Sequence, residues 1–194
     1  MSLTCKPEWI ALDWGTSNLR AFAMRGATVL DRAGSDAGMS TLEPTGFEPA
    51  LRDLIGPWLH PDLGAIVACG MVGSRQGWAE APYRTVPCTP LADGVTQITM
   101  GDGHSVHIVS GLSQHAPPDV MRGEETQIAG FLSLNPQWDG VICMPGTHTK
   151  WVHLSAGEVV CFPTYMTGEM FGLLCSVSVL RPSIRPGSWH AGAF

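Results

Sequence analysis

The sequence predicts an α/β protein whose sheets mix parallel and antiparallel strands. Residues 9–32 contain three short apolar strands joined by tight turns, which is typical of an antiparallel meander. Residues 63–69 form a nearly continuous apolar run, as expected of a strand buried on both faces of a parallel sheet. Residues 47–60 place apolar side chains three and four positions apart, the spacing of an amphipathic helix.

In the first half of the chain, the glycine-rich residues 70–74 follow the buried strand at its carboxyl end, where open α/β sheets bind ligands. Residues 101–103 (GDG) are typical of a hairpin turn. This half is predicted to contain one helix at 47–60 and strands at 9–14, 19–24, 28–32, 63–69, 95–100 and 106–109.

A break is expected at residues 111–119, which include the pair Pro117 and Pro118. We therefore predict a first lobe of residues 1–111 and a partial second lobe of residues 112–194. The second lobe is predicted to contain a helix at 124–134, strands at 140–144, 150–154 and 159–162, and a last helix that starts near Thr167.

Composition excludes several classes of protein. The 194 residues carry a net charge of −6, and Lys6 and Lys150 are the two lysines, so the basic surface that nucleic acid requires is absent. No apolar run approaches the roughly 18 residues of a membrane span, and residues 1–7 lack the apolar core of a secretory leader. The six cysteines form no C-x-x-C pair, so we expect buried free thiols in a cytoplasmic protein.

Two turns of similar composition lie between strands, one in each predicted lobe. The first turn is residues 13–18 (DWGTSN) and the second turn is residues 145–150 (PGTHTK). Glycine, serine and threonine in such turns present backbone N–H groups and hydroxyls that can hold phosphate oxygens. Asp13 could organise Mg²⁺, which prefers hard oxygen ligands. The alternative is an ordinary β-turn in each place.

Glu124 and Glu125 open the predicted helix at 124–134. Acidic residues are common in a first helical turn because they complement the helix dipole. A carboxylate there can also act as a general base that accepts a proton from a hydroxyl. His148 and His153 with Cys143 and Cys161 do not have the spacing of a zinc site, so we predict none.

Four segments in order resemble the 2-dehydro-3-deoxygalactonokinase family of the actin/hexokinase/Hsp70 ATPase superfamily. They are residues 10–21 (IALDWGTSNLRA), 70–83 (GMVGSRQGWAEAPY), 120–127 (VMRGEETQ) and 144–152 (MPGTHTKWV), and a weaker fifth match is residues 166–169 (MTGE). The resemblance covers residues 8–175. It implies a two-lobed ribonuclease-H-like fold, the actin-like ATPase fold, with a cleft between the lobes.

The resemblance implies ATP-dependent phosphorylation of the terminal hydroxyl of 2-dehydro-3-deoxy-D-galactonate in galactonate breakdown, with Mg²⁺. Glu124 would be the base, with Glu125 the less favoured choice, and related sugar kinases have Asp rather than Glu at that position. Asp13 would hold Mg²⁺. The ATP phosphates would be bound by residues of both turns and their flanks: Gly15, Thr16, Ser17, Asn18, Arg20, Gly146, Thr147, His148, Thr149 and Lys150. A lysine at the strand edge that faces water is the alternative for Lys150.

A cationic side chain is expected to meet the substrate carboxylate, and Arg75 and Arg122 are the candidates because arginine grips carboxylates with two N–H groups. A solvated loop position is the alternative for Arg75. Trp78 and Tyr83 would wall the sugar site or pack against the lobe. Gly73 and Ser74 complete the predicted substrate-binding residues.

Three other functions stay open: a kinase for a different sugar acid, an actin-like or Hsp70-like ATPase that acts through partner binding, and an inactive fragment. Residues after Glu169 lack the glycine-rich adenosine motif of the superfamily, and residues from about Leu180 match nothing in the family pattern. We therefore expect a truncated chain, with a tail read from another frame and an incomplete second lobe. Apolar surface exposed in this way favours association between copies.

Overall fold

The structure, a computed structural model, describes residues 6–184, which form three sheets and three α-helices. The strands are β1 (Trp9–Trp14), β2 (Leu19–Arg25), β3 (Thr28–Ser35), β4 (Ile66–Cys69), β5 (Arg84–Thr85), β6 (Thr96–Thr99), β7 (Ser105–Ile108), β8 (Leu112–His115), β9 (Pro118–Met121), β10 (Gly140–Met144), β11 (Thr149–Ser155), β12 (Glu158–Cys161) and β13 (Thr164–Tyr165). The helices are α1 (Phe47–Ile55), α2 (Glu124–Leu134) and α3 (Thr167–Ser176).

The largest sheet has the order β3-β2-β1-β4-β7-β6 and mixes both strand directions. The predicted antiparallel meander of β1, β2 and β3 is confirmed, and Asp13 lies opposite Arg20 in it. The predicted parallel strand is confirmed as β4, which pairs in parallel with both β1 and β7 but starts at Ile66 rather than at residue 63. The expectation that both of its faces are buried is wrong, because Ile66 and Ala68 are buried while Val67 and Cys69 are half-buried. Since β1 and β4 run in the same direction, their carboxyl ends bring Asp13 next to Cys69.

The helix predicted at residues 47–60 is shorter than expected. It ends at Ile55, and a 3₁₀ turn at Gly56–Trp58 follows. Pro57 has no N–H group to continue an α-helical ladder, which explains the early end. Phe47, Leu51 and Ile55 are fully buried in the core that contains the largest sheet.

The break predicted at residues 111–119 is wrong as a description of local structure. β8 and β9 form an antiparallel hairpin there, and β8 also pairs in parallel with β5. Both hairpin strands are four residues long, and Pro117 and Pro118 lie at their junction. The sequence does not predict this hairpin, because its strands are short and partly polar and two prolines lie at their junction.

The second half follows the predicted elements closely. α2 has the predicted bounds, and α3 starts at Thr167 as predicted. β10, β11 and β12 form an antiparallel sheet in that order, and β13 pairs with β11. Each of β10, β11 and β12 lies within one residue of its predicted bounds.

Buried apolar residues form two clusters along the chain. One runs from Ile10 to Ile108 and the other from Leu112 to Phe162. The lobe boundary at residues 111 and 112 stays a prediction. None of the helices described between residues 6 and 184 has the length and apolar character to cross a bilayer.

The cysteines differ in part from the expectation of buried free thiols. Cys69, Cys88, Cys143, Cys161 and Cys175 are free, but Cys143 is exposed and the other four are half-buried. Cys5 lies outside the described residues.

Candidate active site

Both turns and the start of α2 meet at one cleft of about 310 Å³. The first turn contributes Asp13 and Gly15, the second turn contributes four consecutive residues, and the helix start contributes Glu124. The structure therefore brings together segments that are more than 130 residues apart in the sequence. The lining residues are Asp13, Gly15, Gly70, Met71, Arg122, Gly123, Glu124, Gln127, Met144, Pro145, Gly146, Thr147 and His148.

The first turn is closed by a hydrogen bond from the Gly15 N–H to the Asn18 carbonyl at 2.9 Å. Asp13 is the last residue but one of β1, and its carboxylate lies 3.1 Å from the Arg20 guanidinium on β2. The Gly15 and Thr16 carbonyls accept hydrogen bonds from the segment that starts at Met39, which holds the turn from outside. Thr16, Ser17 and Asn18 are exposed, and the Arg20 side chain points to Asp13. None of these four residues lines the cleft.

The second turn is held by the start of α3. The Glu169 N–H donates to the Thr147 carbonyl at 3.0 Å, and His148 Nε2 lies 3.2 Å from Glu169 Oε2. The Thr149 hydroxyl is hydrogen-bonded to the Thr167 hydroxyl and is buried, so Thr149 faces α3 rather than the cleft. These contacts fix the turn that carries Gly146, Thr147 and His148 into the cleft.

Lys150 does not lie where a nucleotide contact or a solvated lysine would place it. Its side chain is 7 % exposed, and Nζ donates to the Val120 carbonyl at 2.7 Å and to Thr164 Oγ1 at 2.8 Å. Asp119 Oδ1 lies 3.5 Å from the same nitrogen. Lys150 therefore ties β11 to β9 and β13, and it does not line the cleft.

The start of α2 approaches the end of β4 through two glycines. Gly123 has φ +108° and Gly70 has φ +94°, values that side chains disfavour. A Cβ on Gly70 would lie 2.7 Å from the Trp14 carbonyl oxygen, and a Cβ on Gly123 would lie 3.4 Å from the Gly70 Cα. This close packing places Glu124 opposite the end of β1, where Asp13 lies.

Glu124 and Glu125 differ sharply in their surroundings. Glu124 lines the cleft, and its Oε2 accepts a hydrogen bond from the Arg122 N–H at 3.0 Å. Glu125 is fully buried, and both of its oxygens accept the Gly123 N–H, at 2.9 and 2.7 Å. Burial raises the pKa of Glu125 to about 7, and the negative charge of Glu124 acts in the same direction. Substrate in the cleft would therefore meet Glu124.

The Arg122 guanidinium is turned into the protein. Nη2 donates to the Ala81 carbonyl at 2.8 Å, and the group lies 4.2 Å from the centre of the Tyr83 ring. Nη1 is buried without a hydrogen-bond partner among the described residues. A Cβ on Gly73 would lie 2.8 Å from Nη1, so the glycine makes room for the arginine.

Arg75 and Trp78 lie away from the cleft. The Arg75 side chain is 88 % exposed and pairs with Glu80 at 3.7 Å. Trp78 stacks on Phe47 with ring centres 6.2 Å apart and meets Trp14 edge-on at 5.9 Å, so it packs against the first core. The Ser74 hydroxyl is buried without a partner in residues 6–184.

Several cleft residues were not predicted. Gln127 follows Glu124 by three positions on α2, a spacing that places both on one helix face. Glu169 does not itself line the cleft but pairs with His148, which does; it belongs to the fifth matching segment, yet nothing in the sequence shows this pairing. The other lining residues absent from the prediction are Gly70, Met71, Gly123, Met144 and Pro145.

The parallel centre of the largest sheet and the two turns facing one cleft define the class of this protein. It has the two-lobed α/β fold of the ribonuclease-H-like ATPases, and the predicted fold class is confirmed. A crystal structure of a Sinorhizobium meliloti protein assigned as a 2-dehydro-3-deoxygalactonokinase has the same fold, with a TM-score of 0.83 and 37% identity. The match covers 93% of this chain and 61% of that chain.

The 2-keto-3-deoxy-galactonokinase family model matches residues 13–194, and the chain belongs to this family. The match continues past Leu180, so the expectation that the tail matches nothing in the family is wrong.

Two curated relatives are each 37% identical to the chain. One, from Rhizobium meliloti (strain 1021), is assigned as the 2-dehydro-3-deoxygalactonokinase DgoK1, and 94% of this chain matches 61% of it. The other is the 2-dehydro-3-deoxygalactonokinase of Escherichia coli (strain K12), and 96% of this chain matches 63% of it. The chain therefore spans about three fifths of the length of these relatives.

Proposed function

We propose that this chain carries the catalytic cleft of an ATP-dependent kinase that phosphorylates the terminal hydroxyl of 2-dehydro-3-deoxy-D-galactonate, giving the 6-phosphate in galactonate catabolism. The observation that carries the proposal is the meeting of both turns and Glu124 at one cleft. Membership of the kinase family and the names of two curated relatives support the choice of reaction and substrate.

The two turns suit the binding of ATP phosphates. Gly146, Thr147 and His148 on one side of the cleft offer backbone and side-chain donors. Gly15 lines the other side; its N–H is already donated to the Asn18 carbonyl, but its lack of a side chain lets a phosphate approach the backbone. Thr16, Ser17 and Asn18 are exposed beside the cleft and could reach the same phosphates. Mg²⁺ fits Asp13, because Mg²⁺ commonly takes one or two carboxylates together with substrate phosphates; when bound, it neutralises phosphate charge.

Glu124 is proposed as the general base. Its Oε2 is occupied by the Arg122 N–H, which leaves Oε1 to accept the proton of the substrate hydroxyl. The hydroxyl oxygen then attacks the γ-phosphorus in line, the bond from that phosphorus to the bridging oxygen breaks, and ADP leaves with the electron pair. Glu124 afterwards releases its proton to solvent.

Arg75 is the exposed candidate for the substrate carboxylate; it does not line the cleft, so its side chain would have to swing from Glu80 towards a bound acid. Arg122 Nη1 has no hydrogen-bond partner within residues 6–184, but Tyr83 covers the guanidinium, so a contact with substrate requires Tyr83 to move. Gly73 and Ser74 would support the segment that carries Arg75. Trp78 would stabilise the same segment by packing on Phe47 and Trp14 rather than by contacting the sugar acid.

The two core clusters fit a division of the chain into two lobes. Residues 1–111 and 112–194 would form the two lobes on either side of the cleft, and the change of core cluster between Ile108 and Leu112 supports this division. The protein would act in the cytoplasm on a small sugar acid.

Association between copies is supported by α3, which has no buried residue and exposes Phe171 and Leu173.

A coupled assay of ADP release tests the proposed reaction directly. Purified protein with ATP and Mg²⁺ is offered several 2-keto-3-deoxy sugar acids, one at a time. ADP release that depends on the galactonate-derived acid supports the proposal, and preference for another acid would assign a different sugar-acid kinase. Release without any acid would favour an ATPase, and no release with any of them would indicate an inactive chain.

A further inference from the structure

Glu125 is a fully buried carboxyl group that the proposed reaction does not use. It is the second residue of α2 and does not line the cleft, although Glu124 beside it does. Burying a carboxyl group costs free energy unless hydrogen bonds compensate. The contacts that compensate here therefore indicate what Glu125 does.

Those contacts converge on Gly123. Both Glu125 oxygens accept the Gly123 N–H, at 2.9 and 2.7 Å, and the Thr126 hydroxyl lies 3.3 Å from Oε1. Gly123 has φ +108° and packs on Gly70 at the end of β4. Its peptide groups connect Arg122 and Glu124, which both line the cleft.

We propose that Glu125 is a positioning residue: its carboxyl group holds the Gly123 amide and so fixes the direction in which Glu124 enters the cleft. This inference rests on the proposed function, in which Glu124 is the base.

Glu124 makes a contact of the same kind as Glu125. Glu124 reaches back to the N–H two residues earlier, on Arg122, just as Glu125 reaches back to Gly123. The bend before α2 is therefore held by two successive carboxyl groups, and the buried one is shielded from competition with water. Without it, the left-handed Gly123 turn would lose its hydrogen-bonded anchor and Glu124 would shift.

Two substitutions separate positioning from packing. Glu125→Leu removes the acceptor and the buried polar group together, whereas Glu125→Gln keeps one acceptor oxygen at nearly the same volume. Since misplacement by about 1 Å can cost about 10²-fold in rate, we expect kcat to fall about 10²-fold in Glu125→Leu and about 10-fold or less in Glu125→Gln. The KM for ATP should change by less than about threefold, because the hydrogen bonds of Glu125 go to Gly123 and Thr126 and it does not line the cleft.

The measurements are kcat and KM of the full chain, with hydrogen exchange of the Gly123 amide followed by NMR. Hydrogen exchange of the Gly123 amide should be faster in Glu125→Leu than in the wild type. In Glu125→Gln it should be slower than in Glu125→Leu, because one acceptor oxygen is kept. Glu158→Gln, at an exposed position of β12, is the control for a lost carboxylate.

A folded Glu125→Leu protein with kcat within about twofold of the wild type would overturn the inference, as would unchanged exchange at Gly123. The proposed function fails separately, when the wild type shows no acid-dependent ADP release. The exchange measurement then decides alone: faster exchange in Glu125→Leu supports the hold on Gly123, and unchanged exchange overturns it.

Discussion

Gly168, at the start of α3, lies against the carbonyl oxygen of Gly146 in the second turn, so closely that a Cβ on Gly168 would overlap that oxygen. The neighbouring Glu169 N–H donates to the Thr147 carbonyl at 3.0 Å. The backbone of α3 thus supports the turn that forms one wall of the cleft.

Gly168→Ala should therefore push α3 away from the second turn. We expect a lower melting temperature and weaker nucleotide binding, measured by thermal denaturation and by titration with ATP. Gly172→Ala is the matched control in the same helix, since a Cβ there meets nothing within 4 Å and alanine favours a helix over glycine by about 1 kcal/mol. Equal nucleotide affinity in both variants would show that the glycine contact does not support the turn.

Asp13→Asn should remove most of the turnover while leaving stability nearly unchanged. Loss of the carboxylate proposed to hold Mg²⁺ should lower kcat/KM about 10²- to 10³-fold. The Asp13–Arg20 pair is exposed, so its loss should cost at most about 1 kcal/mol of folding free energy. Steady-state kinetics and denaturant unfolding measure the two effects, and Asp31→Asn on exposed β3 serves as control. Turnover within threefold of the wild type would show that Asp13 does not have the proposed role in holding Mg²⁺.

Lys150→Met should destabilise the fold without changing nucleotide binding. The substitution leaves the Val120 carbonyl and the Thr164 hydroxyl without their buried donor, at a cost of about 2 kcal/mol. Denaturant unfolding measures this loss, and the KM for ATP should not change because Lys150 does not line the cleft. Lys6→Met, at the other and exposed lysine, is the control. A large rise in the KM for ATP with unchanged stability would instead indicate that Lys150 contacts the nucleotide.

His104 should make stability fall as pH rises. A hydrogen bond to the His60 carbonyl, and then the Asp102 carboxylate, raise the pKa of His104. His104 Nδ1 lies 3.0 Å from Asp102 Oδ1 as an ion-pair contact, without the alignment of a hydrogen bond. Because the folded state favours protonated His104, its contribution is complete below the ordinary pKa of 6.5 and is lost as pH rises through the raised value.

Melting temperatures at several pH values between about 5.5 and 8.5 test this. The wild type should lose more stability across that range than His104→Gln, and His115→Gln, at an exposed position of β8, should match the wild type. Glu125 gives a slope of the same sign, since its pKa is also raised, so the difference between variants is the decisive quantity. Identical slopes for wild type and His104→Gln would refute the prediction.

Asp102 acts at the acid end of the range. Burial raises its pKa, but hydrogen bonds from the His104 backbone N–H and from Arg52 outweigh that effect and lower the pKa to about 2. Its contribution is present above the ordinary value of 3.8 and is lost as pH falls towards 2.

The sequence was sufficient to predict the elements whose residues interact locally. β1 to β3 and α2 follow from alternation, spacing and turn residues, and these signals lie within each element. The meeting of the two turns was expected from the resemblance to a family, and composition alone does not predict it. The hairpin of β8 and β9 was missed because its strands are short and prolines stand between them.

Side-chain environments could not be read from the sequence, because they depend on partners far along the chain. Lys150 is buried by contacts with Val120, 30 positions earlier, and with Thr164, 14 positions later. Arg122 is covered by Tyr83, 39 positions earlier. No local pattern distinguishes such residues from solvated ones, so positions of charged side chains were the weakest part of the prediction.

The turnover of Glu124→Gln, measured with ATP and the galactonate-derived acid, tests the central claim most directly. Glutamine keeps the shape of the side chain but cannot accept the proton, so kcat should fall by roughly two to four orders of magnitude. Binding of ATP should persist, since the two turns are untouched, and Glu158→Gln should behave as the wild type. A Glu124→Gln protein with near-normal kcat would contradict the assignment of Glu124 as the base.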